Sequence, residues 1–219
     1  MSGIAFAANG ATHFPSVVTA EDGACLCEYL QPFVSGRPGR RLTTGVRPFL
    51  EPLNRLACSL LGQAAVPVRA VIFDKRSEIN WSVAWHQDRT IAVRERRETD
   101  GFGPWSTKDG ILHVEPPVAI LEGMVTLRLH LDDCGEGNAP LKVAVGSHRL
   151  GLVPAEQAAK VAEAHPVLAC HAHAGDVWAY ATLILHASER SRIQGRRRVL
   201  QVDYAACDLP GGLAWRGLA

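Results

Sequence analysis

Residues 124–133, "MVTLRLHLDD", alternate apolar and polar side chains almost without a break. Val125, Leu127, Leu129 and Leu131 fall on one side, and Thr126, Arg128 and His130 on the other. A period of two marks a β-strand with one apolar face. The same theme recurs in both directions along the chain. "VRAVIFD" (68–74), "SVAWHQD" (82–88), "LKVAV" (141–145), "PVLACHAH" (166–173), "DVWAYATLILHA" (176–187) and "RRVLQVDYAA" (197–206) read as further short strands. Turn-forming stretches such as "CGEGNAP" and "HAGD" separate them. So many short strands predict a sandwich or jelly roll.

Two segments outside this pattern carry apolar residues at helical spacing, 20–33 ("AEDGACLCEYLQPF") and 48–62 ("PFLEPLNRLACSLLG"). Pro48 and Gly62 stand near the start and stop of the second. Both helices are expected on the outside of a sheet, with "SGRPGRRLTTG" as the loop between them. A shorter helix is predicted over 154–164. Residues 89–123 are polar, weakly periodic and contain glycine and proline. An insertion of that length reads as a functional loop or lid. The expected organisation is one mainly β (α+β) domain over 1–219. It divides into a helical N-terminal region (residues 1–66), a β core (67–207) holding the 89–123 insertion, and a C-terminal tail (208–219).

The bulk numbers are those of an ordinary globular chain: 219 residues, 47% hydrophobic, 21% charged, net charge +1. Such a charge gives no electrostatic footprint for nucleic acid or an anionic membrane. No apolar stretch approaches the length of a transmembrane helix. The N-terminal "MSGIAFAANGATHF" lacks the basic n-region of a signal peptide. The six cysteines form no CxxC pair, and a reduced, cytoplasmic protein is expected. Oligomeric state is not legible.

The chemistry concentrates around "WHQD" (85–88). On a strand His86 and Asp88 project from one face and Gln87 from the other. Alone, the pair fits a surface ion pair as well as two metal ligands. A third ligand decides, and His186 is the candidate, the histidine that breaks the apolar run of "TLILHAS". Two histidines and one carboxylate make the facial triad of non-haem Fe(II) oxygenases, which leaves coordination positions open. Arg197 follows eleven residues after His186 in "GRRRVLQVDYA". Arg196 and Arg198 would face one way and Arg197 the other. The middle arginine is thus placed to pair with a carboxylate of a keto-diacid cosubstrate.

The order of HxD, "GNAPLKVAVGSH" (137–148), "GD" (175–176) and "LHAS…IQGRRRVL" (185–200) resembles the phytanoyl-CoA dioxygenase family. The resemblance runs from about residue 68 to 206; Val145 stands where the family often has proline before "GSH". It implies a double-stranded β-helix (jelly roll, cupin-like) with the N-terminal helices outside. It implies Fe(II), 2-oxoglutarate and O2, with His86, Asp88 and His186 as iron ligands and Arg197 on the distal carboxylate. Ser188, Lys75, Leu129 and Val71 become candidate cosubstrate contacts. Trp105, in the insertion, and Trp85, beside the motif, become candidate substrate contacts; Trp81 reads as core.

The activity implied is hydroxylation of a small molecule with release of succinate and CO2. Asp88 occupies the position that a halogenase leaves vacant. Two rivals remain: a non-catalytic metal- or ligand-binding β-helix protein, and a cupin-type metalloenzyme that uses no keto acid. His148, His171 and His173 read as structural or surface residues, and His113 and His130 as unassigned.

Overall fold

The computed structural model describes residues 2–34 and 36–218. In chain order the elements begin α1 (Ser2–Asn9), β1 (Ala11–Phe14), α2 (Ala20–Leu30), β2 (Gly39–Leu42) and α3 (Glu51–Leu61). Next come β3 (Val66–Arg76), β4 (Val83–His86), β5 (Ile91–Ala92), β6 (Trp105–Lys108), β7 (Ile111–Val114) and α4 (Val118–Glu122). The chain ends with β8 (Met124–His130), β9 (Leu141–Ala144), α5 (Ala158–Glu163), β10 (Val167–Cys170), β11 (Val177–Ala181), β12 (His186–Ser188) and β13 (Arg196–Ala205).

A six-stranded sheet runs β1-β11-β8-β13-β3-β2, and a four-stranded sheet runs β10-β9-β12-β4. All their pairings are antiparallel. The architecture is the expected double-stranded β-helix, mainly β with few helices. Helices α2 and α3 cover the outside of the six-stranded sheet. Thr19 caps α2 by accepting the Asp22 N–H at 3.1 Å. Gly62 ends α3 with φ +94°, a conformation that favours glycine. Leu26, Leu30, Leu53 and Ala57 of these helices bury against Ile72, Leu127, Leu129, Leu200 and Val202 of the sheet. Each large aliphatic side chain buried there contributes about 1.5–3 kcal/mol.

Several expectations are corrected. The predicted strand over 176–187 is two strands in two different sheets. β11 ends at Ala181, a turn closes with Ile184 N–H donating to Ala181 O at 2.9 Å, and β12 begins at His186. The run is mostly apolar because nearly all of it is buried on both sides, so periodicity cannot mark the crossing. The N-terminal region is not purely helical. β1 and β2 form the two edges of the six-stranded sheet, and β2 lies within the stretch read as a loop. Four residues are too few for a periodic signal. The 89–123 insertion is not irregular either. It holds the sheet β5-β7-β6 and α4, and buries Phe102, Val114 and Leu121 against Leu183, Leu209 and Leu213.

Candidate metal centre

His86 and His186 are direct partners in the antiparallel pairing of β4 with β12, so their side chains emerge on the same face. Their ring centroids are 4.2 Å apart. Asp88 follows just beyond the end of β4. One ligand atom from each of the three residues lies within 4.8 Å of the others. Both histidine Nδ1 atoms face a backbone carbonyl at 2.9 Å, Ala84 O for His86 and Ile184 O for His186. A carbonyl only accepts, so the proton sits on Nδ1 and the Nε2 lone pair is free for a metal.

Gln87 turns away from the site, yet it is buried rather than solvated. Its amide donates to Gly151 O at 2.8 Å and Leu183 O at 2.7 Å, and its oxygen accepts from Val153 N at 2.9 Å. These bonds pin the strand between His86 and Asp88. The "GSH" turn does the same for the other histidine. Ser147 Oγ accepts the Leu185 N–H at 2.9 Å, one residue before His186. The "GD" turn is distal and structural: the Asp176 carboxylate accepts from Ser16 N and His173 N, both at 2.8 Å.

Burial raises the Asp88 carboxyl, but Arg69 and the two histidines outweigh it and hold the group down at about 2. Arg69 Nη2 lies 3.6 Å from Asp88 Oδ2, and its Nε binds Asp203. Gln201 Nε2 donates to Asp88 Oδ2 at 3.4 Å. Burial pushes His186 down to about 4 despite the pull of Asp88. Near neutral pH the cluster therefore offers a neutral imidazole at His186, an ionised carboxylate and a second imidazole. That donor set fits a divalent first-row metal.

A cavity of about 220 Å³ opens beside these residues and reaches Arg197. Arg196 pairs outward with Asp74 (2.8 Å) and Arg198 with Asp132 (2.6 Å), while Arg197 turns inward as its alternation predicts. Arg197 is 3% exposed and donates to Ala139 O. Lys75 Nζ donates to Ser188 Oγ at 3.2 Å and Glu189 O at 2.5 Å. Burial, then Arg197 and Arg128, push Lys75 down to about 7. Val71 lines an adjoining cavity of about 250 Å³ that shares Asp88 and Gln201 with the first.

Three expected contacts are not there. Leu129 points to the other face of β8, into the core under the helices, because it is one residue out of phase with the inward-facing Arg128. Trp85 packs against the cluster of Ala158, Ala162 and Leu185. Trp105 packs within the insertion's own core, with the Arg96 guanidinium 5.4 Å from its ring centroid. Trp81, read as core, instead lines both cavities, with Lys75 Nζ 4.9 Å from its ring centroid.

Sequence reasoning missed Arg69, Phe73, Arg128 and Gln201. Alternation put Arg128 on the polar side of its strand with Thr126 and His130, a side that reads as solvent-facing until a second sheet covers it. His148 packs its ring against Gly10, and His171 and His173 are exposed.

The fold and this site define a double-stranded β-helix with a His-Asp-His cluster open to a cationic cavity. The phytanoyl-CoA dioxygenase family signature matches residues 34–199, and the chain belongs to that family. Fe(II), 2-oxoglutarate and O2 are the cofactor and cosubstrates of the family. No curated protein matches the sequence.

Many solved structures share the fold, three of them as follows. AviO1 from Streptomyces viridochromogenes Tue57 has a TM-score of 0.62 at 20% identity, over 96% of this chain and 94% of that one. The non-heme alpha ketoglutarate dependent carbocyclase SnoK from nogalamycin biosynthesis has 0.65 at 15%, over 94% and 83%. The epimerase SnoN, in complex with Fe3+, alpha ketoglutarate and nogalamycin RO, has 0.64 at 15%, over 96% and 90%. Among the described residues, no helix is long and apolar enough to cross a membrane.

Proposed function

We propose that the chain is an Fe(II)- and 2-oxoglutarate-dependent dioxygenase that hydroxylates a small molecule and releases succinate and CO2. One observation carries the reading: two imidazoles and an ionised carboxylate converge within 4.8 Å, in a cavity whose far end is Arg197. His86, Asp88 and His186 would hold the iron. When bound, iron with O2 and 2-oxoglutarate supplies the oxidant for C–H cleavage.

The chain's own residues position and protect. The carbonyls of Ala84 and Ile184 hold both imidazoles in the tautomer a metal needs. Arg69 and Gln201 keep Asp88 ionised and directed. Arg197 meets the distal carboxylate of the cosubstrate, with Lys75 and Ser188 beside it. Phe73, Trp81 and Val83 give apolar walls that exclude water. The β6–β7 hairpin closes over the substrate side. Its tip residue Asp109 accepts from Arg41 of β2 at 3.0 Å, and Arg41 lines the second cavity.

The test is succinate release by Fe(II)-loaded protein against a metabolite panel, with product masses read in parallel. A gain of one oxygen supports hydroxylation; ring closure or epimerisation, the reactions named for SnoK and SnoN, would replace it. His86→Ala and Arg197→Ala are each expected to abolish succinate release. Unchanged turnover in both overturns the reading, and metal binding without keto-acid consumption favours the non-catalytic rival.

A further inference from the structure

We infer that Arg128 is a second anchor for the cosubstrate, pairing with the carboxylate at its keto-acid end while Arg197 takes the far one. The inference rests on the 2-oxoglutarate reading above.

Arg128 projects inward from β8 and is 6% exposed. Its Nη1 donates to Gln201 Oε1 at 2.8 Å, and the guanidinium lies 5.4 Å from the Phe73 ring centroid. Its Nε is buried with no partner, as is that of Arg197. Among the described residues neither arginine has a carboxylate within ion-pair distance. An unpaired buried guanidinium is costly, and a chain that keeps one has a use for it.

Other arginines nearby show the usual solution. Arg69 is almost as buried and is matched by Asp203 and Asp88; Arg196 and Arg198 are matched by Asp74 and Asp132. The cavity is thus left with two unmatched guanidinium groups on one wall, and a dianion matches both.

The register says which charge meets which carboxylate. Arg128 is directly opposite Gln201, and Gln201 also donates to Asp88 at 3.4 Å. Arg128 therefore stands at the metal side. Arg197 lies four residues further along β13, opposite Lys75. A keto acid bound at the metal by its keto-acid end and at Arg197 by its far end passes Arg128 first.

Isothermal titration of Mn(II)-loaded protein without oxygen tests this, with two ligands. 2-Oxoglutarate carries both carboxylates; 2-oxopentanoate keeps the keto-acid end and lacks the far one. Arg128→Gln is expected to weaken both ligands by the same factor, about 10- to 100-fold. Arg197→Gln is expected to weaken 2-oxoglutarate alone. Arg128→Lys keeps the charge and loses the planar fork, so it weakens both ligands equally by a smaller factor. If Arg128→Gln does not fold, the lysine variant decides by the same comparison.

Weakening of 2-oxoglutarate alone would move Arg128 to the far carboxylate and overturn the inference. No change in either ligand would assign Arg128 to another partner and overturn it as well. Failure of the unaltered Mn(II)-loaded protein to bind 2-oxoglutarate is a different result, because it brings down the proposed function itself.

Discussion

On β8 the side chains of Leu127 and Leu129 lie beneath α2 and α3, while those of Arg128 and His130, one residue away, face the four-stranded sheet. All seven residues of the strand are buried, so the two faces differ in chemistry and not in access to water. The outer face is aliphatic and packed by helices. The inner face carries Arg69, Arg128, Arg197 and Gln201, and it leaves the Nε of Arg128 and Arg197 and both ring nitrogens of His130 without partners. Burial, with the nearby arginines, pushes His130 down to about 3, so it stays neutral. The outer face supplies stability, and the inner face sacrifices some of it to keep unmatched polar groups.

If that division holds, the largest effect belongs to the inner face. Asp88→Ala should abolish Fe(II) binding and succinate release while the protein still melts cooperatively, as calorimetry with metal titration would show. Loss of folding instead would mean that the inner cluster is also structural. Next, Leu127→Ala on the outer face should cost about 2–5 kcal/mol in chemical denaturation, with turnover per folded molecule kept. A drop in turnover per folded molecule would break the separation of the faces.

A smaller effect is expected from Lys75. Its folded pKa is depressed to about 7 from 10.5, so between those values the folded state binds fewer protons than the unfolded chain. Stability should rise with pH across that window, and Lys75→Met should flatten the rise relative to the unaltered chain. Equal slopes in the two proteins would show that Lys75 titrates normally. The smallest change should come from Asp109→Ala, which removes a half-exposed pair with Arg41 and should cost under about 1 kcal/mol. Faster hydrogen exchange in the β6–β7 hairpin, without a change in the rest of the sheet, would support closure by that hairpin.

How much was legible follows the same two faces. Alternation of Val125 to Leu131 located a strand and its apolar side, and the arginine triplet located the inward Arg197. It could not say that the polar side was also interior. A polar face normally reads as solvent, and only the second sheet buries it. For that reason Arg128 went unread and Leu129 was placed on the wrong side. The tryptophans failed for a related reason: Trp85 and Trp105 stand on strands β4 and β6, and which side of a strand meets a cavity depends on what packs against it.

The sequence by itself determined the strand-rich character, the two helices of the outer layer and the local pair of His86 and Asp88, because periodicity and residue chemistry are written in neighbouring positions; His186 joined them as a candidate through the order of motifs along the chain. Tertiary structure alone decided that His86 lies directly opposite His186 across one hundred residues, that Gln87 is a buried brace, and that Arg128 shares a wall with Arg197. Those facts depend on strand register and on two sheets closing over each other, and long-range pairings of that kind leave no mark on local sequence.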